Sequence, residues 1–214
     1  MIVVTNRILC RDNFIDRIER IAQNKPQAII LREKDLTKAD YYTLALKCKD
    51  ICQKYNVQLI VNSHIEIARK ISPFIQLSFS DFMVNRDKLK NFSAIGVSIH
   101  SLAEVMALQG SQATFMIAGH IFATDCKRDL PPKGLKFLKE SCKNTKIPVY
   151  AIGGISLENI DAVLNCGAAG VCLMSQPMMC NDVALLLSTF KHYRLRNNKK
   201  SSAKIIDQYR TFIN

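Results

Sequence analysis

Eight short runs built mostly of Val, Ile, Leu and Ala recur through the chain, at residues 2–5, 28–32, 58–62, 74–78, 94–99, 114–119, 149–153 and 170–175. Between them lie longer segments with helical spacing of apolar residues: Phe14, Ile15, Ile18 and Ile21, then Leu44, Leu46, Ile51 and Tyr55, then Leu135, Leu138 and Cys142. Strands that are apolar throughout are buried on both faces, which is the condition of a parallel sheet covered by helices. Eight such β/α units in little more than 190 residues predict a single (β/α)8 TIM barrel over residues 1–195. The alternative is a doubly wound open sheet. No Gly-x-Gly-x-x-Gly follows the first strand, so a dinucleotide fold lacks its signature.

Composition supports a full core, since 48% of the 214 residues are hydrophobic and 22% charged. The start, Met1-Ile2-Val3-Val4-Thr5-Asn6, is too short for a signal h-region, and no apolar run approaches the roughly 18 residues of a membrane span. A soluble cytoplasmic protein is expected. The eight cysteines include no Cys-x-x-Cys pair and no cluster with metal-ligand spacing, so reduced thiols are expected and no protein-built metal site.

Net charge is +12. Half of it sits in residues 191–214, where Lys191, Arg194, Arg196, Lys199, Lys200, Lys204 and Arg210 face Asp207 alone. Residues 196–214 therefore read as a basic C-terminal tail or short helix that docks on its own barrel or on a neighbour in a homo-oligomer. Binding of nucleic acid or membrane is the less favoured reading of this tail.

In a barrel, chemistry gathers at the C-terminal ends of the strands. Those ends are polar here: Arg32 and Lys34, Asn62, Asp81, Ser98 and His100, His120, the pair Gly153-Gly154, and Ser175. After strand six the chain reads Gly119-His120-Ile121-Phe122-Ala123-Thr124-Asp125-Cys126-Lys127, which puts a titratable imidazole beside Thr124 and Lys127, two groups that can hold an anion. Cys126 in this stretch reads as a small polar filler. Strand seven runs into Gly153-Gly154, with Ser156 as the expected N-cap of the next helix, and strand eight ends in Ser175. Glycines after strand seven and a hydroxyl after strand eight are what a barrel uses to hold phosphate, so a phosphorylated small molecule is the expected ligand.

Together Ile30-Leu31-Arg32-Glu33-Lys34, Ile60-Val61-Asn62, Gly96-Val97-Ser98-Ile99-His100-Ser101, the Gly119 to Lys127 stretch, Ile147-Pro148-Val149-Tyr150-Ala151-Ile152-Gly153-Gly154-Ile155 and Gly170 to Ser175 resemble thiamine phosphate synthases and their TenI-type relatives, the thiazole tautomerases. The resemblance spans residues 1 to about 190. It implies a (β/α)8 barrel and a phosphorylated thiazole as ligand, with Arg32, Lys34, Asn62, Ser98, His100, Thr124, Lys127, Gly153, Gly154 and Ser175 around it.

The two branches differ in chemistry. Synthases join a pyrimidine diphosphate to thiazole phosphate and use Mg²⁺, held by an Asp of an Asn-Asp pair and by a second Asp. Here Asn62 is followed by Ser63, leaving Asp81 as the other carboxylate, and the pyrimidine-binding Gln of synthases is Ile30. Synthases generally read Gly-Pro where this chain has Gly119-His120, and the tautomerases resemble it there. The expectation from these departures is a thiazole tautomerase, an isomerase without metal or cofactor, in which His120 shuttles the proton. The alternatives are the Mg²⁺-dependent synthase and a catalytically silent thiazole-phosphate-binding barrel.

Overall fold

The computed structural model describes residues 1–198, with side chains through residue 191. Eight parallel strands close into a barrel in chain order: β1 (Ile2–Val4), β2 (Ala28–Leu31), β3 (Gln58–Asn62), β4 (Phe74–Ser78), β5 (Ala94–Ile99), β6 (Phe115–Gly119), β7 (Val149–Ile152) and β8 (Gly170–Leu173). The ring is shut by β1 against β8, with Ile2 opposite Cys172 and Val3 opposite Leu173. Each strand matches an expected run to within two residues. The helices are α1 (Phe14–Gln23), α2 (Lys38–Lys54), α3 (Ile65–Ile71), α4 (Phe79–Val84), α5 (Leu102–Ala107), α6 (Gly134–Lys143), α7 (Ile160–Asn165), α8 (Ser175–Met179) and α9 (Val183–Asn198).

Strand alternation divides the core in two. Val3, Ile29, Leu31, Val61, Ile75, Leu77, Val97 and Met116 face outward and pack beneath the helices. Ile2, Val4, Ala28, Ile30, Ile60, Phe115, Ile117, Tyr150 and Cys172 face inward and fill the barrel. The Phe115 and Tyr150 rings meet edge to face, with centroids 5.9 Å apart. Phe115 has room only because β5 carries Gly96 opposite it, where a Cβ would overlap the phenyl ring.

Polar side chains cap α1 and α2. Asn13 accepts from the Ile15 and Asp16 amides at the start of α1, and Thr37 accepts from Asp40 at the start of α2. Arg17 of α1 is buried, held by Asp12 and donating to the Cys180 carbonyl at 2.6 Å, which ties α1 to the segment before α9. The hydrogen bond from Arg17 is the main reason the Asp12 carboxyl falls to about 2. That contribution to stability is therefore complete above the ordinary Asp range and lost as pH falls toward 2.

Two local expectations need correction. α2 turns Tyr41, Ala45, Cys48 and Cys52 inward and leaves Leu46 exposed, so the buried stripe is rotated from the one that its larger aliphatic residues suggested. Ser156 is not a helix N-cap, because α7 begins only at Ile160. Instead Asn159 accepts from the Ser156 amide and donates to the Gly154 carbonyl, folding the 154–159 loop on itself. Residues 199–214, which hold most of the expected basic tail, lie outside the described residues. All eight cysteines are free, and among the described residues no helix is long and apolar enough to cross a membrane.

Gly96→Ala should cost about 1–3 kcal/mol in urea unfolding through overpacking against Phe115, and Phe115→Leu in the same chain should return part of it. An unchanged midpoint in the single variant would refute this account of the inner layer.

Candidate active site

One cavity of about 640 Å³ opens at the C-terminal rim of the barrel. Every predicted site residue lines it: Arg32, Lys34, Asn62, Ser98, His100, His120, Thr124, Lys127, Gly153, Gly154 and Ser175. Its lower wall is apolar, made by Val4, Ile30, Ile117, Ile152 and Cys172. Its mouth is polar, so a flat ring can sit low and an anion high.

The first polar group is cationic. Arg32 leaves β2 with its amide donating to Thr5 Oγ1, and the Thr5 hydroxyl donates to buried Glu33. Burial raises the Glu33 carboxyl even though it accepts from Thr5 and from the Arg7 amide. Lys127 comes over from the β6–α6 loop and lies close enough to Arg32, Lys34 and Lys133 to feel their charges. Burial first, and then these neighbours, lower its pKa. Arg32, Lys34 and Lys127 line one opening and make no ion pair among the described residues, an arrangement suited to an anion.

The second group is the pair of turns after β7 and β8. Gly153 and Gly154 have φ of 97° and 63°, which favour glycine. The space a Cβ would need is filled by His120 at Gly153 and by Phe122 and the Ala123 carbonyl at Gly154. These glycines thus serve first to let the β6 exit lie against the β7 exit, where the Ile121 and Phe122 amides donate to the Ile152 and Gly153 carbonyls. The same turns line the cavity with Ser156, Ser175 and Gln176.

His120 is buried. Its Nε2 lies 3.1 Å from the Leu130 carbonyl, an acceptor, so this nitrogen carries the hydrogen and ties down the loop that bears Thr124 and Lys127. The Lys133 amide donates back to the His120 carbonyl, closing the same loop. His100 Nδ1 likewise donates across to the Gly119 carbonyl. Both histidines hold neighbouring backbone. Cys126 is exposed at the mouth.

Sequence reading missed Gln76, Ser78, Ser156 and Gln176, all of which line the cavity. Gln76 and Ser78 share the inward parity of β4 with Phe74, and that was the available signal. Asn62, buried, donates to Gln76 Oε1 and to the Gln76 carbonyl. Gln76 Nε2 in turn donates at 2.8 Å to Ser98 Oγ and to the Leu77 carbonyl.

Asp81 is the carboxylate on the cavity wall, in the first turn of α4, where it accepts from the Ser78 hydroxyl at 2.6 Å. Among the described residues no three His, Cys, Asp or Glu side chains gather into a metal cluster. One carboxylate does suit Mg²⁺, which is commonly held by one or two carboxylates together with substrate phosphates.

The fold and this cavity define the chain as a (β/α)8 barrel with a polar, cation-lined cavity at its rim. A family described as thiamine monophosphate synthase matches residues 1–176, and the chain belongs to that family. It is similar to the thiamine-phosphate synthase of Methanobrevibacter smithii, 34% identical over 201 residues that cover 88% of this chain and 94% of the relative. It is also similar to that of Clostridium acetobutylicum, 33% identical over 177 residues, 81% of this chain and 84% of the relative. Thiamine phosphate pyrophosphorylase from Pyrococcus furiosus shares the fold, with a TM-score of 0.76, 24% identity and coverage of 89% and 93% of the two chains.

These likenesses overturn the expected isomerase. Relatives aligned over most of the chain are named as synthases, whereas the tautomerase reading rested on a few positions, Ile30, Ser63 and the Gly119-His120 stretch among them. In the structure the His120 Nε2 hydrogen is committed to Leu130, a role that explains a histidine there without proton shuttling.

Because Lys127 is depressed, pyrophosphate affinity should be full below its lowered pKa and weaken as pH rises, beginning earlier than an ordinary lysine would allow. Lys127→Arg should hold affinity to higher pH in calorimetric titrations. Identical pH profiles for the two proteins would exclude Lys127 from the anion site.

Proposed function

We propose that this protein is a thiamine-phosphate synthase that transfers a pyrimidinylmethyl group from its diphosphate to the ring nitrogen of thiazole phosphate. The bond from the methylene carbon to the diphosphate oxygen breaks, the bond to the thiazole nitrogen forms, and pyrophosphate leaves. The observation that supports this reading is that one cavity is lined by Arg32, Lys34 and Lys127 and also by the Gly153-Gly154 and Ser175 turns, two sets of groups that could each serve a phosphorylated substrate.

The reaction alkylates a neutral ring nitrogen, so no proton has to move. What it needs is stabilisation of negative charge on the departing diphosphate and alignment of two rings. Arg32, Lys34 and Lys127 meet the first need, since their charges already crowd one another and an anion between them relieves that repulsion. Amides and hydroxyls at Gly153, Gly154 and Ser175 hold the phosphate of the acceptor. Thr124 adds a donor at the mouth, and His120 keeps its loop in place through Leu130. Asp81 is the residue that would hold Mg²⁺, which would supply further neutralisation of leaving-group charge.

The test is incubation of the protein with pyrimidine diphosphate, thiazole phosphate and Mg²⁺, followed by chromatography for thiamine phosphate and an assay for pyrophosphate. Both products should form together. Lys127→Met should lower kcat/KM by about 10²-fold, the scale of removing one transition-state charge partner. Asp81→Asn should raise the Mg²⁺ concentration required. Absence of thiamine phosphate with both substrates bound would leave a silent binding barrel and end the synthase proposal.

A further inference from the structure

The barrel has a second opening at its other end. There Ile2, Ala28, Gln58, Phe74, Ala94 and Phe115, the first residues of β1 to β6, line a cavity of about 70 Å³. A single water needs roughly 10–15 Å³, so this space suits one aromatic side chain and is too small for a helix. Its wall is mostly apolar, but one polar group on it is left unmet. Gln27, just before β2, donates from Nε2 to the Tyr150 hydroxyl at 2.7 Å, while its Oε1 is buried without a partner among the described residues. Buried acceptors are rarely left so, and a hydroxyl entering the cavity would meet this one.

The path of α9 points to the occupant. Barrel helices run back from the rim to the strand starts, and α9 reaches that end at Lys191, whose ammonium donates to the Asn24 carbonyl at the end of α1, three residues before Gln27. α9 then runs on to Asn198, about 10 Å farther. Residues 199–214 follow, outside the described residues, and contain Ile205, Ile206, Tyr209, Phe212 and Ile213. Extended chain from Asn198 to Tyr209 spans up to about 36 Å, more than enough to recover the 10 Å or so that α9 overshoots. Of the five, Tyr209 alone joins an apolar ring to a hydroxyl. We propose that residues 205–213 turn back beneath the barrel and seat the Tyr209 ring in this cavity, with its hydroxyl on Gln27 Oε1, so that the chain plugs its own barrel. A short tether favours the chain's own cavity over that of a second copy, because it holds the plug at a high effective concentration.

Photocrosslinking on the full chain tests where this side chain lies. Tyr209→p-azidophenylalanine, irradiated and digested, should give links within one chain to peptides that hold Gln27, Phe74 or Phe115. Phenol, a ring with one hydroxyl, tests the cavity. In calorimetric titrations it should bind Tyr209→Ala at least tenfold more tightly than wild type, and adding Ala94→Leu, which fills the space, should abolish the gain. Should Ala94→Leu misfold, the crosslinks decide. Links between two chains, links elsewhere on the barrel, no links at all, or equal phenol affinity in wild type and Tyr209→Ala would overturn the proposal.

Discussion

Closure of the barrel governs everything else in this molecule. Once Ile2 pairs with Cys172 and Val3 with Leu173, no strand has an open edge, and all eight C-terminal ends point to one rim. Inward positions must then share a single narrow space. The chain meets that limit by grading polarity along each strand. Ile60 is followed inward by Asn62, Phe74 by Gln76 and Ser78, Gly96 by Ser98, and Ile30 by Arg32. The lower part of the barrel is thereby packed and apolar, and the upper part polar and charged.

The chemistry of the rim follows from which groups are left with spare capacity. Both histidines at the rim have a ring nitrogen donating to a backbone carbonyl, one to Leu130 and one to Gly119. The cations have no such commitment to one another and are raised in energy by proximity. A site whose unused potential lies in positive charge is better matched to holding and releasing anions than to moving protons. This agrees with the names of the relatives and departs from what Ile30, Ser63 and the Gly119-His120 pair together suggested.

Much of this was legible in the sequence because burial on both faces leaves unbroken Val/Ile runs, and those fixed the strands and hence the rim. Gathering of Arg32, Asn62, Ser98, Lys127 and Gly153 into one cavity needed only the strand ends. Other features were hidden for physical reasons. Gln76 interrupts an apolar strand and looks like noise until its partners Asn62 and Ser98 are seen two strands apart. Gly153 and Gly154 read as room for a ligand, yet their missing side chains make room for His120 and Ala123. In α2, Ala45, Cys48 and Cys52 are buried while Leu46 is not, because they fall with Tyr41 on the helical face turned to the barrel and Leu46 falls off it.

Tyr41 carries the implication furthest from the cavity. It belongs to α2 in the outer layer and is 1% exposed, yet its hydroxyl donates to the Leu31 carbonyl at 2.6 Å and accepts from the Asn62 amide. One oxygen thereby clasps the ends of β2 and β3, immediately before Arg32 and at Asn62. The division between scaffold and site does not follow the division between helices and barrel. A helix residue outside the cavity shares in setting the distance between Arg32 and Asn62, both of which line it, so drift in the outer layer is constrained by the geometry inside.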